Sequence, residues 1–157
     1  CQIMKLNLPT YQFKIRPNTS GKDEIFDEFR MKFITLTPEE WVRQNFMRYL
    51  KEEKEYPPSL IAIEKGIVVN KMKKRFDAVI HNREGKPIML VEFKSPDVIV
   101  SQKVMEQISR YNLTLNVNYL IISNGLTHYC CYIDKKTDNI SFLKDIPEFS
   151  ELYQKEA

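Results

Sequence analysis

The residues of this sequence that are best suited to chemistry stand in two neighbouring apolar segments. Asp77 lies in the segment RFDAVIHN, and Glu92 and Lys94 stand two apart in the segment KPIMLVEFK. If both segments are strands joined by a turn centred on Glu84 and Gly85, the cross-strand partners are counted outward from that turn. Asp77 then faces Glu92, with the two Cβ atoms about 4.5–5.5 Å apart. The pattern predicts two carboxylates that meet on one face of a sheet.

The same register makes two further pairings. It places Ile80 opposite Met89 and Asn82 opposite Pro87. A four-residue loop over 83–86 keeps this register, whereas a three-residue loop would break it. The pairing of the two acids therefore depends on the length of the loop.

Two carboxylates at this distance repel each other, and burying them without a partner is costly. A divalent cation between them removes that cost, and Mg²⁺, which usually takes one or two carboxylates from a protein, suits the donor pair. Strand alternation puts Lys94 on the face of Glu92, about 6–7 Å further along. Its ammonium could orient a water or stabilise the charge on a phosphate. The predicted chemistry is hydrolysis of a phosphodiester.

A simpler interpretation of these residues is structural. Glu92 and Lys94 could form a salt bridge on the solvated face of an edge strand, and Asp77 could be a surface acid beside Lys74 and Arg75. The apolar run IMLV before Glu92 is typical of a strand that is buried on both faces, and it favours the site.

Periodicity and capping residues predict the elements that would position the site. Residues 37–58 form a predicted helix, in which Thr37 suits the N-cap, Pro38 the first turn and Glu40 the third position of a capping box. A second helix is predicted over 101–115. The predicted strands are 59–69 (one strand, or two around Gly66), 74–82, 86–94, 117–125 and 128–134, and a short strand and a small helix follow.

This order of elements predicts an α/β fold. The second helix lies between two apolar strands, which is typical of a right-handed crossover to a parallel strand, and the three earlier strands suit an antiparallel meander. The result is a mixed β-sheet flanked by helices on both faces. Residues 9–30 are polar and loop-like. We interpret 1–157 as a single domain whose residues 1–30 are a partly irregular N-terminal extension.

The composition argues against several classes of protein. No apolar run approaches the roughly 20 residues that span a bilayer, and the N-terminal stretch has no signal-peptide pattern. The three cysteines suit neither a disulfide framework nor a zinc site. We therefore expect a cytoplasmic protein without a membrane partner. The net charge of +3 and the cluster KMKKR indicate a polyanion partner, although a solvated turn explains the cluster equally well.

The order of the motifs resembles a known superfamily. Asp77 in RFD, Glu92 and Lys94 in EFK, and Gln107 and Tyr111 in QISRY follow the signature of the PD-(D/E)XK nucleases. Together with TPEEWVRQ, EFKSPDV and SNGLTHYC, these motifs are similar to the N-terminal nuclease domain of type I restriction enzyme R subunits, over nearly the whole chain. The resemblance implies a restriction-endonuclease-like fold. Phe replaces the Pro of the signature here, which leaves the acid in place.

The resemblance also implies roles for these residues. Asp77 and Glu92 would be metal ligands, and Lys94 would be the catalytic lysine. Gln107 and Tyr111 would line the site or touch the DNA backbone.

A glutamate on the first helix usually completes such a site. Glu39 lies with Val42 and Arg43 on the inward side of the predicted helix, whereas Glu40 lies opposite the apolar stripe. We therefore choose Glu39 as the catalytic candidate. Glu64, on the first long strand, is a further acidic candidate.

The expected activity is that of a metal-dependent endonuclease that hydrolyses DNA with Mg²⁺, or with Mn²⁺ in its place. Lys71, Lys73, Lys74 and Arg75 would bind DNA phosphates without reading sequence. The expected partners are DNA and either a second copy of the chain or other restriction-system subunits. The alternative is a non-catalytic nucleic-acid-binding or partner-docking domain of the same fold, and an RNA-directed nuclease is a third option. The chain has no GxxxxGK[ST] loop, so we expect no helicase-like motor within it.

Overall fold

The computed structural model describes residues 3–69 and 71–156. In these ranges the strands are β1 (Ile15–Pro17), β2 (Asp23–Asp27), β3 (Lys32–Thr35), β4 (Ile61–Val69), β5 (Met72–His81), β6 (Pro87–Phe93), β7 (Tyr119–Ser123), β8 (His128–Asp134) and β9 (Asn139–Leu143). The helices are α1 (Pro38–Glu52), α2 (Gln102–Tyr111) and α3 (Phe149–Glu156), and a 3-10 turn covers Pro58–Leu60.

Strands β4 to β9 form one six-stranded sheet in sequential order. Neighbouring strands are antiparallel except β6 and β7, which are parallel and joined through α2. The predicted meander, parallel crossover and mixed sheet are thereby confirmed. β6, which carries Glu92, lies between β5 and β7 in the interior of the sheet.

The hairpin between β5 and β6 has the predicted register over most of its length. Three pairs confirm it: Ala78 with Val91, Val79 with Leu90, and Ile80 with Met89. A bulge then shifts the register so that His81 faces Pro87, and the predicted pairing of Asn82 with Pro87 is wrong. The cause is local, because Asn82 Oδ1 accepts hydrogen bonds from the N–H groups of Glu84 and Lys86, both at 2.9 Å.

Helices cover both faces of the sheet, as predicted. On one face, Phe46 of α1 and Leu152 of α3 share an apolar cluster with Phe93 of β6. On the other face, Met105 of α2 shares a second cluster with Leu90 of β6. β6 is therefore buried on both faces, and Glu92 lies near the end of this buried run. None of the described helices is long and apolar enough to cross a bilayer.

Residues 9–30, which we predicted to be loop-like, instead contribute to a small antiparallel sheet of β1, β2 and β3. Ile25 of β2 is fully buried and joins the cluster that α1 occupies. The polar residues that suggested a loop are used in the turns and on the surface. Asn18 Oδ1 accepts from the N–H groups of Ser20 and Lys22, both at 2.9 Å, and Arg16 pairs with Glu24.

Candidate active site

Asp77 lies in β5 where its ladder with β6 ends. One carboxylate oxygen, Oδ2, accepts a hydrogen bond from the backbone N–H of Phe93 at 2.7 Å. The other, Oδ1, accepts from Arg43 Nη2 on α1 at 2.6 Å. The confirmed register, continued by one residue, places Asp77 opposite Glu92. The carboxylate thus joins three elements: β5, β6 and α1.

Glu92 is half-buried near the end of β6. The pKa of its carboxyl is raised to about 7, first by burial and then by the negative charges of Asp77 and Glu39. The positive charges of Lys94 and Arg43 act in the opposite direction. Four charged side chains therefore act on the ionisation of Glu92, and such a perturbed carboxyl is typical of functional sites.

Lys94 directly follows β6 and is half-buried. Its N–H donates to the carbonyl of Ser123 at 2.9 Å, which ties the backbone to β7. Over the described ranges, no ion pair joins Glu92 to Lys94. Because β6 is an interior strand, the interpretation of these residues as an edge-strand salt bridge is wrong.

Helix α1 brings two glutamates to this region. Thr37 caps the helix as predicted, its Oγ1 accepting from the N–H of Glu40 at 3.0 Å. The Glu40 carboxylate is only 5% exposed and binds Arg30 and Arg43, although it lies on the side of the helix away from the apolar stripe. The small sheet, which supplies Arg30, covers that side of the helix. Glu39 is 49% exposed, and its Oε1 lies 3.7 Å from Arg43 Nη2.

An alternating chain of five charges runs from the small sheet to the candidate site: Asp27, Arg30, Glu40, Arg43 and Asp77. Arg30 Nε binds Asp27, and Arg30 Nη2 lies 3.0 Å from Glu40 Oε2. Arg43 Nη1 lies 2.5 Å from Glu40 Oε1, and Arg43 is only 8% exposed. Arg30 and Arg43 were missed as site residues. The spacing of Arg43 from Glu39 and Glu40, four and three positions along one helix, was the available signal.

Glu64 lies in β4 beside Asp77, because the pairs Ile63–Ala78 and Lys65–Phe76 flank it. Its φ of 54° is unusual for a residue other than glycine and costs conformational energy. Its carboxylate is 40% exposed and binds Arg75 at 3.0 Å, with Arg30 Nη1 3.5 Å away. Glu64 therefore belongs to the charged border of the site.

Two predicted site residues lie on α2. Gln107 is solvent-exposed, and within the described chain no hydrogen bond ties it to Asp77 or Glu92. The side chain of Tyr111 lies outside the described residues. Their roles stay predictions.

The four predicted phosphate-binding cations lie on β5 and the turn before it. Lys71 is exposed in that turn with a φ of 65°, and Lys73 and Arg75 are exposed on β5. Lys74 is half-buried, and its Nζ donates to Asn112 Oδ1 at 3.4 Å. The strand that carries Asp77 thus begins with a run of positive charge.

The carboxylates predicted to hold a metal are those of Asp77 and Glu92, on neighbouring strands. Among residues 3–69 and 71–156, no group of three or more His, Cys, Asp or Glu side chains is placed to hold a metal ion. Asp77 and Glu39 both act electrostatically on Glu92, and metal binding by Asp77 and Glu92 stays a prediction.

Comparison with known proteins identifies the family. The family described as the type I restriction enzyme R protein N terminus (HSDR_N) matches residues 38–147. No curated protein sequence matches the chain. A fragment structure described as an HsdR subunit of a type I restriction enzyme from Vibrio vulnificus YJ016 is 25% identical, with a TM-score of 0.54 over 77% of this chain and 25% of that chain. The cryoEM structure of a DrdV–DNA complex is 13% identical, with a TM-score of 0.45 over 75% of this chain and 12% of that chain.

The chain spans about a quarter of the length of the Vibrio fragment. Both share a mixed α/β architecture, in which helices flank the sheet. The family match covers α1, the strands that carry the two carboxylates, and α2. The chain belongs to the family of type I restriction enzyme R protein N termini.

Proposed function

We propose that the chain is a single metal-dependent endonuclease domain that hydrolyses phosphodiester bonds in DNA. The observation that carries the proposal is the meeting of Asp77 and Glu92 on neighbouring interior strands, with Lys94 directly beyond them. Family membership supports it, because the family is named for a subunit of restriction enzymes.

Asp77 and Glu92 would hold the metal, Mg²⁺ or Mn²⁺. Their chemistry fits such an ion, since both metals accept carboxylate oxygens and Mg²⁺ often takes only one or two from a protein. Burial, and then the negative charges of Asp77 and Glu39, raise the pKa of Glu92, and a bound cation would favour its ionised form. When bound, the metal would polarise the phosphate and activate a water.

Lys94 would act on the reacting phosphate. Its position after a buried strand limits the water around it, which strengthens the interaction of its ammonium with negative charge. Nζ would donate hydrogen bonds to a phosphate oxygen or to the attacking water, and would stabilise the charge that develops during hydrolysis. Glu39, at the border of the same site, would add a further negative charge near the metal.

The DNA backbone would approach along the start of β5. Lys71, Lys73, Lys74 and Arg75 offer cations there, and such contacts position a duplex without reading its sequence. Exposed Gln107 on α2 would add a polar contact to the sugar-phosphate backbone. Cutting both strands would use a second copy of the chain or other restriction-system subunits.

A binding module without cleavage is the second candidate. The observation in its favour is that Arg43 already neutralises Asp77, so the site is electrostatically balanced in part without a metal. The chain would then bind nucleic acid or dock to other subunits, and those subunits would be needed for cutting.

Cleavage of supercoiled plasmid by the purified chain, with Mg²⁺ or Mn²⁺, tests the proposal. We expect nicked or linear product from the wild type and none from Glu92→Gln, which keeps the size of the side chain and removes its charge. Cleavage that persists in Glu92→Gln would overturn the site. Salt-sensitive DNA binding without cleavage would favour the binding module. Cleavage of single-stranded RNA but not of DNA would show that the substrate of the nuclease is RNA.

A further inference from the structure

We propose that Arg43 is a resident counter-ion of Asp77 and that a divalent metal binds by displacing it towards Glu39. The inference rests on the proposed function, because it concerns how the metal reaches the two strand carboxylates. Arg43 would thus be a positioning residue that sets metal affinity.

Both oxygens of Asp77 are engaged, but by donors of different mobility. Oδ2 accepts from the backbone N–H of Phe93, which is fixed by the pairing of β6 with β7. Oδ1 accepts from Arg43 Nη2 at 2.6 Å, and an arginine side chain can turn about several bonds. The oxygen that can be freed for a metal is therefore the one that Arg43 holds.

Arg43 has a second acceptor within reach. Its Nη2, which binds Asp77, also lies 3.7 Å from Glu39 Oε1. Its Nη1 lies 2.5 Å from Glu40, which anchors the guanidinium during such a shift. Nε of Arg43 is buried without a hydrogen-bond partner among the described residues, so the present arrangement leaves one donor unused. Moving Nη2 from Asp77 to Glu39 exchanges one carboxylate for another.

Charge makes simultaneous occupation unfavourable. A guanidinium in direct contact with Asp77 repels a divalent cation on the same carboxylate, and a half-buried site screens this repulsion poorly. The groups that act on Glu92 are two acids, Asp77 and Glu39, and two cations, Lys94 and Arg43. Replacing Arg43 by a neutral residue therefore leaves the site more negative and frees Oδ1 of Asp77 for a metal.

Titration of the full chain with Mn²⁺ by calorimetry tests the inference on binding alone. Arg43→Gln removes the charge and keeps a hydrogen-bonding side chain, and we expect its Kd for Mn²⁺ to fall at least about tenfold. Arg43→Lys keeps the positive charge but loses the planar guanidinium with its several N–H donors, and we expect a Kd for Mn²⁺ within about threefold of the wild type. A purely structural role would weaken Mn²⁺ binding in both variants.

Two further variants keep the test decisive. Should Arg43→Gln fail to fold, Glu40→Gln/Arg43→Gln removes one buried acid with one buried base, and binding tighter than in the wild type is expected because Asp77 Oδ1 is freed in this variant too. Asp77→Asn reports on the site itself. One outcome overturns the displacement and leaves the proposed function standing: Asp77→Asn abolishes Mn²⁺ binding, while the Gln variants bind Mn²⁺ as the wild type does or more weakly. Loss of Mn²⁺ binding in the Gln variants, with wild-type binding that depends on Asp77, likewise overturns the displacement alone. Wild-type binding that Asp77→Asn leaves unchanged overturns both the displacement and the proposed metal site.

Discussion

Asp77 serves the fold and the candidate site through different oxygens. The bond from Phe93 N–H replaces a backbone contact between β5 and β6, and the bond from Arg43 fixes α1 against the sheet. The first contact was within reach of sequence reasoning, because a short hairpin relates the two strands. The second joins residues 34 positions apart, and it depends on how a helix packs on a sheet, which no local pattern encodes.

Glu92→Gln should stabilise the metal-free chain, and more so at high pH. In the folded chain the pKa of Glu92 is raised from 4.5 to about 7. The free energy of unfolding therefore falls as the pH rises from about 4.5 to about 7, because the ionised carboxylate is less favourable in the folded state than in the unfolded state. Glutamine cannot ionise and avoids this cost. After discounting for partial exposure, we expect the variant's gain to be about 2 kcal/mol larger at pH 8 than at pH 5.

Urea unfolding of the wild type and the variant at both pH values measures this difference. Glu84→Gln, in the exposed turn between β5 and β6, is the matched control and should show little dependence on pH. An equal effect of Glu92→Gln at the two pH values would contradict the raised pKa.

Lys94→Ala should abolish metal-dependent cleavage and leave Mn²⁺ binding in place. The ammonium is proposed to act on the phosphate and not to ligate the metal, and loss of one such electrostatic contact typically costs about 10²–10³ in rate. Plasmid cleavage and calorimetry separate the two effects. Lys86→Ala, an exposed lysine in the same hairpin, should cleave normally. Loss of Mn²⁺ binding in Lys94→Ala would show that the lysine supports the metal site instead.

Helix α1 supplies three of the charged side chains around the site. Its start is defined by Thr37, whose side chain satisfies the N–H of Glu40. The same turn supplies Glu39 and Glu40, and the next turn supplies Arg43. The position of the helix was predictable because a threonine, a proline and a glutamate occur at capping spacing. The burial of Glu40 was not, because it depends on the small sheet.

Thr37→Ala should lower the free energy of unfolding by about 1 kcal/mol through loss of the N-cap bond. Chemical denaturation measures the change, with Thr10→Ala at an exposed position as the control. A change of similar size in both variants would argue against a specific contribution of the cap.

The small sheet was missed because its strands are three to five residues long and rich in charge. Its polar side chains pair with one another and with α1, so composition alone resembles a loop. Asp27 illustrates the difficulty, since it is a buried acid whose partners, Arg30 and the N–H of Phe29, follow it in the next turn. Short strands that depend on side-chain pairing give little periodic signal.

For the whole molecule, the net charge of +3 is small, so DNA binding depends on where the cations lie. If Lys73 and Arg75 each contact a phosphate, Lys73→Ala/Arg75→Ala should reduce the slope of log Kd against log salt by about 1.8 for duplex DNA. Fluorescence anisotropy at several salt concentrations measures the slope. Lys22→Ala/Lys136→Ala, at exposed turn positions, has the same change in charge and should leave the slope nearly unchanged.

The separation along the chain of the groups around Asp77 has a consequence for the order of folding. The hairpin brings Asp77 to the strand of Glu92 across a short loop, whereas Arg43 reaches Asp77 only after α1 docks from 34 positions away. Contacts that close shorter loops form earlier in general. We therefore expect the two carboxylates to meet before the guanidinium of Arg43 reaches Asp77. Acid, salt or a divalent ion present during refolding would reduce the repulsion between the two carboxylates. The solution in which the chain folds can therefore affect how quickly its candidate site assembles.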